Sequence, residues 1–239
     1  MLCVNGITFN MGLAHSPSII SDGLVLYLDA ANRRSYSGSG NTANGLVGGI
    51  GGTLINGVGY TSSNNGSFIF DGSNDFMSVG SLGTFYTQGT ISFWMKSLDV
   101  SVSIRNPFST NYNGSINFNV LRFETGAESP GTIRCWFGDP SNNITGLYYS
   151  NISADTWYNV VVTWNQSTTT VTGYLNGTFD VTNSSWTRWP TSFVNVAVGL
   201  GYNSRFYQGN IGQVQIYSRA LSGQEILQNY NATRKRFGL

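Results

Sequence analysis

The 239-residue sequence is poor in charged side chains, cysteine and histidine. Charged residues make up 10% of the chain and the formal net charge is +1, which favours neither a nucleic-acid interface nor attraction to anionic membranes. Two cysteines are too few for a disulfide framework, and a chain of this length can fold as one large domain without a metal or a disulfide. The one concentration of charge is Arg234-Lys235-Arg236, in a basic C-terminal tail over residues 233–239 that we expect to be solvated.

Long apolar runs are also missing. No segment approaches the roughly 20 apolar residues of a membrane-spanning helix, so we expect no membrane insertion. The opening stretch Met1–Gly6 lacks a basic start and an unbroken apolar run, and so predicts a protein that is not secreted by its own leader. Residues 1–21 are interpreted as an N-terminal arm, with either Met1 or Met11 as the natural start.

What the chain has in abundance is short strand-like segments bounded by Gly, Asn, Asp or Ser. They are Leu24–Leu28, Ser67–Phe70, Phe76–Val79, Thr90–Met95, Val100–Ile104, Ser115–Phe123, Thr132–Phe137, Trp157–Trp164, Thr170–Leu175, Phe193–Val198 and Gly209–Tyr217. Asn176-Gly177, which separates Gly173–Leu175 (GYL) from Thr178–Val181 (TFDV), is a strong hairpin signal, because both residues tolerate a positive φ. The pattern predicts an all-β protein in which residues 22–232 form a sandwich of two antiparallel sheets.

The last strand-like segment alternates apolar and polar residues. In a regular strand Ile211 would share one face with Gln213 and Gln215, while Val214 and Ile216 would face the core.

A short C-terminal helix is predicted to follow that strand. Ser222-Gly223-Gln224-Glu225 has the spacing of a capping box, and Leu221 is placed to pack on Ile226 as a hydrophobic staple. Glu225 therefore has a structural role in this interpretation and not a catalytic one.

Several motifs, taken together, resemble the laminin-G-like branch of the concanavalin A-like lectin/glucanase superfamily. They are Phe70–Phe76 (FDGSNDF), Thr90–Trp94 (TISFW), Trp157–Thr163 (WYNVVVT), Gly173–Gly177 (GYLNG) and Ile216–Ile226 (IYSRALSGQEI). They occur in the family's order over residues 24–231. The resemblance implies a jelly-roll sandwich, in agreement with the strand pattern.

The flanks of the domain carry a narrower likeness. Asp22–Asn32 (DGLVLYLDAAN), Gln228–Thr233 (QNYNAT) and Arg236–Leu239 (RFGL) resemble structural proteins of tailed phages, those of marine and cyanobacterial hosts most of all. This likeness implies a tail fibre or a capsid decoration protein on the virion surface, assembled in the host cytoplasm. Its partners would be other virion proteins, further copies of itself and host-surface glycans, with the arm and the basic tail as anchors.

Enzymatic activity is the weakest alternative. Family-16 laminarinases carry two glutamates four residues apart with an aspartate between them on one strand. Here Glu124 and Glu128 have that spacing, but Gly126 replaces the aspartate and Pro130 follows, so we interpret the stretch as a turn. A retaining glycosidase needs two rigidly held carboxyl groups. The sole histidine, His15, lies in the arm and has no evident nucleophile beside it. We therefore predict that the protein is not an enzyme, with a glycoside hydrolase as a remote alternative.

Calcium is an open alternative at one turn. Asp71, Asn74 and Asp75 supply hard oxygen ligands, which Ca²⁺ prefers, but the same residues are typical of tight turns. Relatives often carry carboxylates in the closing strand, where this chain has Gly212-Gln213. No cofactor is required by this interpretation.

A glycan site is predicted on aromatic residues in loops, since sugars lay their C–H faces on aromatic rings. The candidate residues are Trp186, Arg188, Trp189, Tyr148, Tyr149, Tyr202 and Asn203. The alternative is that the two tryptophans of the Ser184–Pro190 segment belong to the core or to a subunit contact. Trp94, Trp136, Trp157 and Trp164 alternate with strand residues and are interpreted as core. The function expected is glycan binding on a virion surface, and the alternative is a free carbohydrate-binding module.

Overall fold

The computed structural model describes residues 17–101, 103–111, 119–126 and 129–239, together with the backbone of two short strands at the N-terminus. The strands begin with β1 (Cys3–Val4), β2 (Ile7–Thr8), β3 (Leu24–Asp29), β4 (Thr42–Ala43), β5 (Gly52–Ile55), β6 (Gly59–Thr61), β7 (Ser67–Asp71), β8 (Phe76–Gly80), β9 (Gly83–Thr84) and β10 (Gln88–Ser97). They continue with β11 (Arg105–Ser109), β12 (Leu121–Thr125), β13 (Ile133–Gly138), β14 (Ile144–Tyr148), β15 (Trp157–Asn165), β16 (Thr170–Leu175), β17 (Thr178–Asn183), β18 (Ser192–Phe193), β19 (Val196–Val198) and β20 (Gln208–Tyr217). One α-helix, α1 (Gly223–Thr233), and the 3-10 helices Ser63–Asn65, Tyr202–Ser204 and Arg234–Phe237 complete the described elements.

Two 8-stranded antiparallel sheets carry the fold. Sheet I has the order β17-β16-β15-β10-β20-β7-β6, with β3 also paired to β20, and sheet II has the order β14-β13-β12-β11-β19-β8-β5-β4. Helix α1 lies against the outer face of sheet I, where Ile226 packs with Val161 and Tyr217. The predicted two-sheet sandwich with one C-terminal helix is confirmed.

The core lies between the two sheets and is dense in aromatic rings. Phe93 of β10 meets Phe123 of β12 edge-to-face at 4.8 Å between ring centroids. Phe85 stacks on Trp164 at 5.1 Å and closes one end of the same cluster. Each fully buried side chain of this size contributes about 1.5–3 kcal/mol through removal of its apolar surface from water. The sandwich therefore rests on contacts between residues far apart in the sequence.

Some predicted segments differ in the structure. The described residues of the segment at 100–104 form no strand, and β11 begins at Arg105. Of the segment predicted at 115–123, residues 115–118 lie outside the described residues and the strand β12 begins at Leu121. The short strands β4, β5, β6 and β14 lie where the alternation of the sequence is too brief to predict a strand.

The orientation predicted for Ile211 is wrong. Ile211 lies in the inter-sheet core with Val214 and Ile216, and not on the face of Gln213. The register explains this: Trp94 pairs with Gln213 and Met95 with Ile211, so Gly212 is an extra residue that forms a β-bulge. One inserted residue reverses the alternation on one side of the bulge. A Cβ at Gly212 would lie 2.6 Å from the Phe237 ring, which explains why a glycine occupies the bulge.

The capping box and the staple of α1 are confirmed. The Glu225 amide donates to Ser222 Oγ at 3.3 Å, and the Ser222 amide donates to Glu225 Oε2 at 2.8 Å. Leu221 and Ile226 share one buried cluster. Hydrogen bonds from Arg219, helped by the donors of Ser222, lower the pKa of Glu225 to about 2. Glu225 thus fixes the start of the helix, as predicted.

The C-terminal residues are not the solvated tail that the charge run predicts. Residues 234–237 form a 3-10 helix on the outer face of sheet I. There Phe237 stacks on Trp94 at 4.2 Å, and Arg236 Nη1 donates to Asp29 Oδ1 at 2.5 Å. Lys235 remains exposed. The charged residues predicted a solvated tail. Phe237 instead packs between Trp94 and Trp157, and burial of its ring keeps the C-terminal residues on the sheet.

The end of the predicted arm also belongs to the sandwich. The amide of Ile20 donates to Asn229 Oδ1 at 2.7 Å, and Gln228 Nε2 donates to the Ser18 carbonyl at 2.8 Å. The rest of the arm, including His15, lies outside the described residues apart from the backbone of β1 and β2. In the described part of the chain, α1 is far too short and too polar to serve as a membrane span.

Candidate functional site

Strands β12, β13 and β14 present polar and aromatic side chains on the outer face of sheet II. In β13, Ile133, Cys135 and Phe137 belong to the buried core, so Arg134 and Trp136 point the other way. Directly paired residues of antiparallel strands share a face. The register therefore adds Arg122, opposite Trp136, and places Glu124 and Tyr148 on either side of Arg134.

We call this group the arginine–aromatic cluster. Its members are Arg122, Glu124, Arg134, Trp136, Tyr148, Tyr202 and Arg205. The last two come from the turn that follows β19, which lies over the outer end of Arg122.

Glu124 is the centre of the cluster and is fully buried. Its Oε1 accepts from Arg122 Nε at 2.9 Å and from Arg205 Nη1 at 2.8 Å. Its Oε2 accepts from Arg134 Nε and from Trp136 Nε1, each at 2.7 Å. Burial raises the pKa of the carboxyl group, but Arg122 and Arg134 outweigh it and the pKa lies below its ordinary value. Glu124 is therefore an ionised anchor that holds four side chains in place.

The aromatic members keep part of their surface in solvent. The Arg134 guanidinium lies 4.6 Å from the centroid of the Trp136 ring, and a Cβ at Gly146 would come within 3.1 Å of the edge of that ring. Tyr148 meets Trp136 edge-to-face at 6.3 Å and is 44% exposed. Tyr202 is half-buried, with Arg205 at 5.2 Å from its ring centroid. The cluster is thus a rigid surface with aromatic rings at both ends.

The turn that carries Tyr202 is held tightly. Ser109 Oγ donates to the Leu200 carbonyl at 2.6 Å. A Cβ at Gly201 would lie 2.3 Å from the Asn106 side chain, so only glycine permits this approach. Asn203 is exposed and has a φ of 56°, a conformation that asparagine tolerates. These contacts fix the position of Tyr202 relative to sheet II.

Of the aromatic residues predicted for glycan binding, Tyr148 and Tyr202 lie in the cluster, and Asn203 lies beside Tyr202. Tyr149 does not, since it is only 5% exposed and its hydroxyl donates to the Val161 carbonyl inside the sandwich. Adjacent residues of a strand point to opposite sides, so only one of Tyr148 and Tyr149 can face outward.

The Ser184–Pro190 segment closes an end of the core. Trp186 is 1% exposed, packs edge-to-face on Phe137 at 5.2 Å and donates from Nε1 to the Arg188 carbonyl. Trp189 is half-buried and meets Phe137 at 5.8 Å. Arg188 pairs with Asp139 at 3.3 Å. The structure therefore corresponds to the core alternative for Trp186, whose ring offers no free face to a sugar.

The prediction that Trp136 belongs to the core is wrong, since its ring is partly exposed on the outer face of sheet II beside Arg134 and Tyr148. The alternation of Thr132–Phe137 indicates this orientation. Trp136 lies on the same face of the strand as Arg134, and the opposite face carries the apolar residues Ile133, Cys135 and Phe137. Trp164 lies in the core between the sheets, as predicted, whereas Trp94 and Trp157 are buried beneath Phe237 on the outer face of sheet I.

Glu124 lies in strand β12 and not in the predicted turn. Its partner in the glucanase-like spacing, Glu128, lies outside the described residues. In the strand the carboxylate has charged partners on its own strand, Arg122, and on the neighbouring strand β13, Arg134.

The Asp71–Asp75 turn uses its carboxylates on its own backbone. Asp71 Oδ1 accepts from the amides of Ser73 at 2.7 Å and Asn74 at 3.4 Å, and Asp75 Oδ2 accepts from the Asp71 amide at 3.3 Å. Burial, followed by the charge of Asp71, raises the pKa of Asp75. Within the described ranges no group of three or more His, Cys, Asp or Glu side chains is placed to hold a metal ion. Calcium at this turn stays a prediction.

Comparison with protein families gives one match. A sequence model described as the concanavalin A-like lectin/glucanases superfamily matches residues 70–227. The matched range includes strands β8 to β20 and the start of α1. A search among curated proteins found no match.

Solved structures share the fold at low sequence identity. Domain 4 of AbnA, a GH43 extracellular arabinanase from Geobacillus stearothermophilus in complex with arabinotriose, is 13% identical with a TM-score of 0.66 over 87% of this chain and 98% of that one. The botulinum neurotoxin serotype D ligand binding domain in complex with N-acetylneuraminic acid is 18% identical with a TM-score of 0.67, over 87% and 50%. The binding domain of Paraclostridial Mosquitocidal Protein 1 is 17% identical with a TM-score of 0.67, over 88% and 52%. The chain thus spans about half the length of the toxin domains and nearly all of the arabinanase domain.

Proposed function

Because this chain belongs to the concanavalin A-like lectin/glucanase superfamily, we propose that it is a non-catalytic glycan-binding domain whose binding surface is the arginine–aromatic cluster. The observation that carries the proposal is the pair of partly exposed aromatic groups, Trp136 with Tyr148 and Tyr202. Glu124 holds Trp136 directly, and it holds Arg205, which lies against the Tyr202 ring. Sugar rings stack on such surfaces, and nearby polar groups such as Arg205 bind their hydroxyls.

The role of Glu124 supports a binding function over hydrolysis. In a glycosidase, one carboxylic acid must protonate the leaving group, and a second carboxylate must attack the sugar or activate a water molecule. Glu124 is ionised, and both its oxygens already accept two hydrogen bonds each. Release of reducing sugar from β-glucans by the purified protein would contradict the non-catalytic proposal.

Glycan binding is tested with single substitutions of the exposed rings. We expect Tyr148→Ala and Tyr202→Ala each to weaken binding of the best glycan of an array at least about ten-fold, which is about 1.4 kcal/mol, because each removes a stacking surface. The array should hold neutral and acidic glycans, and affinities are then measured by calorimetry. The matched control is Phe179→Ala, which removes a ring that is 58% exposed on sheet I. Equal loss in the control, or none in the two cluster variants, would contradict the proposed surface.

We further propose that the domain is displayed on the surface of a tailed-phage virion, with other virion proteins and copies of itself as partners. The arrangement of the sandwich supports such a display. Ser18 and Ile20 at one end of the described chain, and Asn229 at the other, meet on the outer face of sheet I. The arginine–aromatic cluster lies on the outer face of sheet II, on the opposite side. Attachment through the outer face of sheet I would leave the outer face of sheet II free for glycans.

Attachment is tested by removal of residues 1–16. Since the contacts of Ser18 and Ile20 with α1 are kept, we expect the variant to unfold at the same temperature as the full chain. In phage particles, mass spectrometry should detect the full chain and not the shortened one. Incorporation of both forms alike would argue against the anchor, and absence of the full chain from particles would favour the alternative of a free carbohydrate-binding module.

A further inference from the structure

Arg205 is the most exposed of the three arginines in the arginine–aromatic cluster. Its side chain is 25% exposed, compared with 10% for Arg134 and 3% for Arg122. Its main chain is bonded to β11, because the Asn106 amide donates to the Arg205 carbonyl at 3.3 Å. Its guanidinium lies 5.2 Å from the centroid of the Tyr202 ring. Arg205 is therefore held at both its main chain and its side chain, although part of it reaches solvent.

The Arg205 guanidinium uses only one of its three nitrogens within the described part of the chain. Nη1 donates to Glu124 Oε1 at 2.8 Å. Nε and Nη2 have no hydrogen-bond partner among the described residues, and neither is a buried atom. In the planar guanidinium an N–H bond of Nη2 runs parallel to that of Nε, so the two form one edge with two donors. This edge is open to a ligand.

Two parallel donors on a positive group match two oxygens on a negative group. A carboxylate, a phosphate or a sulfate can accept both N–H bonds, and such charge-assisted bonds are roughly twice as strong as neutral ones. A pair of neutral hydroxyls can use the same edge but gains no such charge assistance. Because Glu124 and Tyr202 already hold Arg205, binding costs little side-chain entropy. The edge therefore favours an oxyanion over a neutral group.

A second cation close to Arg205 strengthens this preference. The guanidinium of Arg122 lies 5.6 Å from the centroid of the same Tyr202 ring. Burial lowers the pKa of Arg122, and the charge of Arg205 adds to this effect, so the two cations repel each other. An anion bound at the edge of Arg205 would offset part of that repulsion.

We propose that the Nε–Nη2 edge of Arg205 binds an oxyanion, so that the arginine–aromatic cluster prefers acidic ligands to neutral ligands of the same shape. The inference rests on the proposed glycan-binding function only for the molecule that carries the anion, which is then a glycan with carboxylate or sulfate groups. Binding of the anion itself depends on Arg205, Glu124 and Tyr202 alone.

Anion binding is measured first without any sugar. The full chain is titrated with sodium sulfate and with sodium acetate, against sodium chloride at equal ionic strength, and the arginine Nε–H signals are followed by ¹H–¹⁵N NMR. We expect the Arg205 signal to shift and saturate with at least one of the two oxyanions. The control in the same spectra is Arg33, which is exposed and donates from Nη1 to the Ser37 carbonyl at 2.8 Å. Among the described residues, neither a buried carboxylate nor an aromatic ring fixes its guanidinium.

Selectivity is then measured with ligands that share one sugar ring. Galacturonate and galactose 6-sulfate carry an anion where galactose carries a hydroxyl group on its last carbon. We expect at least one of the acidic forms to bind about ten-fold more tightly than galactose, or better. Arg205→Lys keeps the positive charge but loses the two-donor edge, so it should remove most of this preference. Arg33→Lys is the matched variant and should keep it.

Three results would overturn the inference: no saturable shift of the Arg205 signal with either oxyanion, an equal shift of the Arg33 signal, or equal affinity for galactose and both of its acidic forms. Urea unfolding shows whether Arg205→Lys keeps the fold, and the titrations of the unsubstituted chain depend on no variant. The proposed function fails separately. Saturable sulfate or acetate binding at Arg205, together with no glycan bound on the array, would contradict glycan binding and leave the oxyanion site in place.

Discussion

Replacing Glu124 by glutamine is expected to lower the free energy of unfolding by about 3–5 kcal/mol, the usual cost of removing one partner from a buried ion pair. Arg122, which is 3% exposed, would lose the negative charge that compensates its burial. Arg134 and Arg205 would lose the same partner, but their side chains are more exposed to water. Urea unfolding of both proteins at neutral pH measures the difference.

The matched control for Glu124→Gln is Asp155→Asn. Asp155 pairs with Lys96 at 2.6 Å, but its side chain is 71% exposed. An ion pair in water contributes about 0–1 kcal/mol, so this variant should unfold nearly as the original protein does. A loss below about 1 kcal/mol in Glu124→Gln would show that the cluster is not held by its buried carboxylate.

The pH dependence provides a second measurement of the same group. The folded pKa of Glu124 lies below the ordinary 4.5, so its contribution to stability is present above that value and is lost as the pH falls through the folded pKa. We therefore expect the stability difference between the protein and Glu124→Gln to narrow on acidification below about pH 4.5. A difference that stays constant into strong acid would mean that the carboxylate is not ionised in the fold.

Replacing Phe237 by alanine is expected to cost about 3–5 kcal/mol, the usual range for a phenylalanine deleted from a packed site. Phe237 is 4% exposed and lies between Trp94 at 4.2 Å and Trp157 at 4.7 Å, so the substitution leaves a cavity on the outer face of sheet I. Chemical unfolding measures the loss, and an increase in tryptophan exposure detected by acrylamide quenching reports the opened site.

Leu239→Ala is the control for this prediction, since Leu239 is two residues further along and 41% exposed. It should change the stability by less than about 0.5 kcal/mol. If Phe237→Ala were equally mild, the C-terminal residues would behave as the solvated tail that their charge suggests, and they would not contribute to the fold.

The two regions give the sandwich distinct faces. On sheet I, the outer surface is covered by α1 and by the 3-10 helix at 234–237. On sheet II, the outer surface carries the arginine–aromatic cluster, with the 3-10 helix Tyr202–Ser204 over one end of it and no α-helix over it among the described residues. One outer face is thus covered by C-terminal elements, and the other is open apart from one short helix.

Local patterns predicted the strands and the start of the helix well. Asn176-Gly177 forms the hairpin between β16 and β17, with Asn176 at a φ of 51° and Gly177 at 74°. The Ser222–Glu225 capping box forms with both of its hydrogen bonds. In each case the deciding interactions join residues a few positions apart, so the sequence contains all that is needed.

The candidate sites were harder to predict because they depend on neighbours across the sheet. Tyr148 was identified as an aromatic group, but its partner Trp136 comes from the adjacent strand and only the register places them together. Trp186 has the composition of a sugar-binding loop, yet it closes the core on Phe137. The same residue types serve both purposes, and the choice depends on which surface the fold leaves open.

By itself the sequence determined an antiparallel β-sandwich with a capped C-terminal helix, because alternation and turn chemistry act within a few residues. Only the tertiary structure decided which aromatic rings face solvent, which glutamate anchors three arginines, and where the last residues pack. The bulge at Gly212 inverts a predicted face, and Phe237 finds its pocket on strands β10 and β15. Both outcomes depend on the register and packing of segments that are distant along the chain. A local sequence pattern does not include the free energy of those long-range contacts.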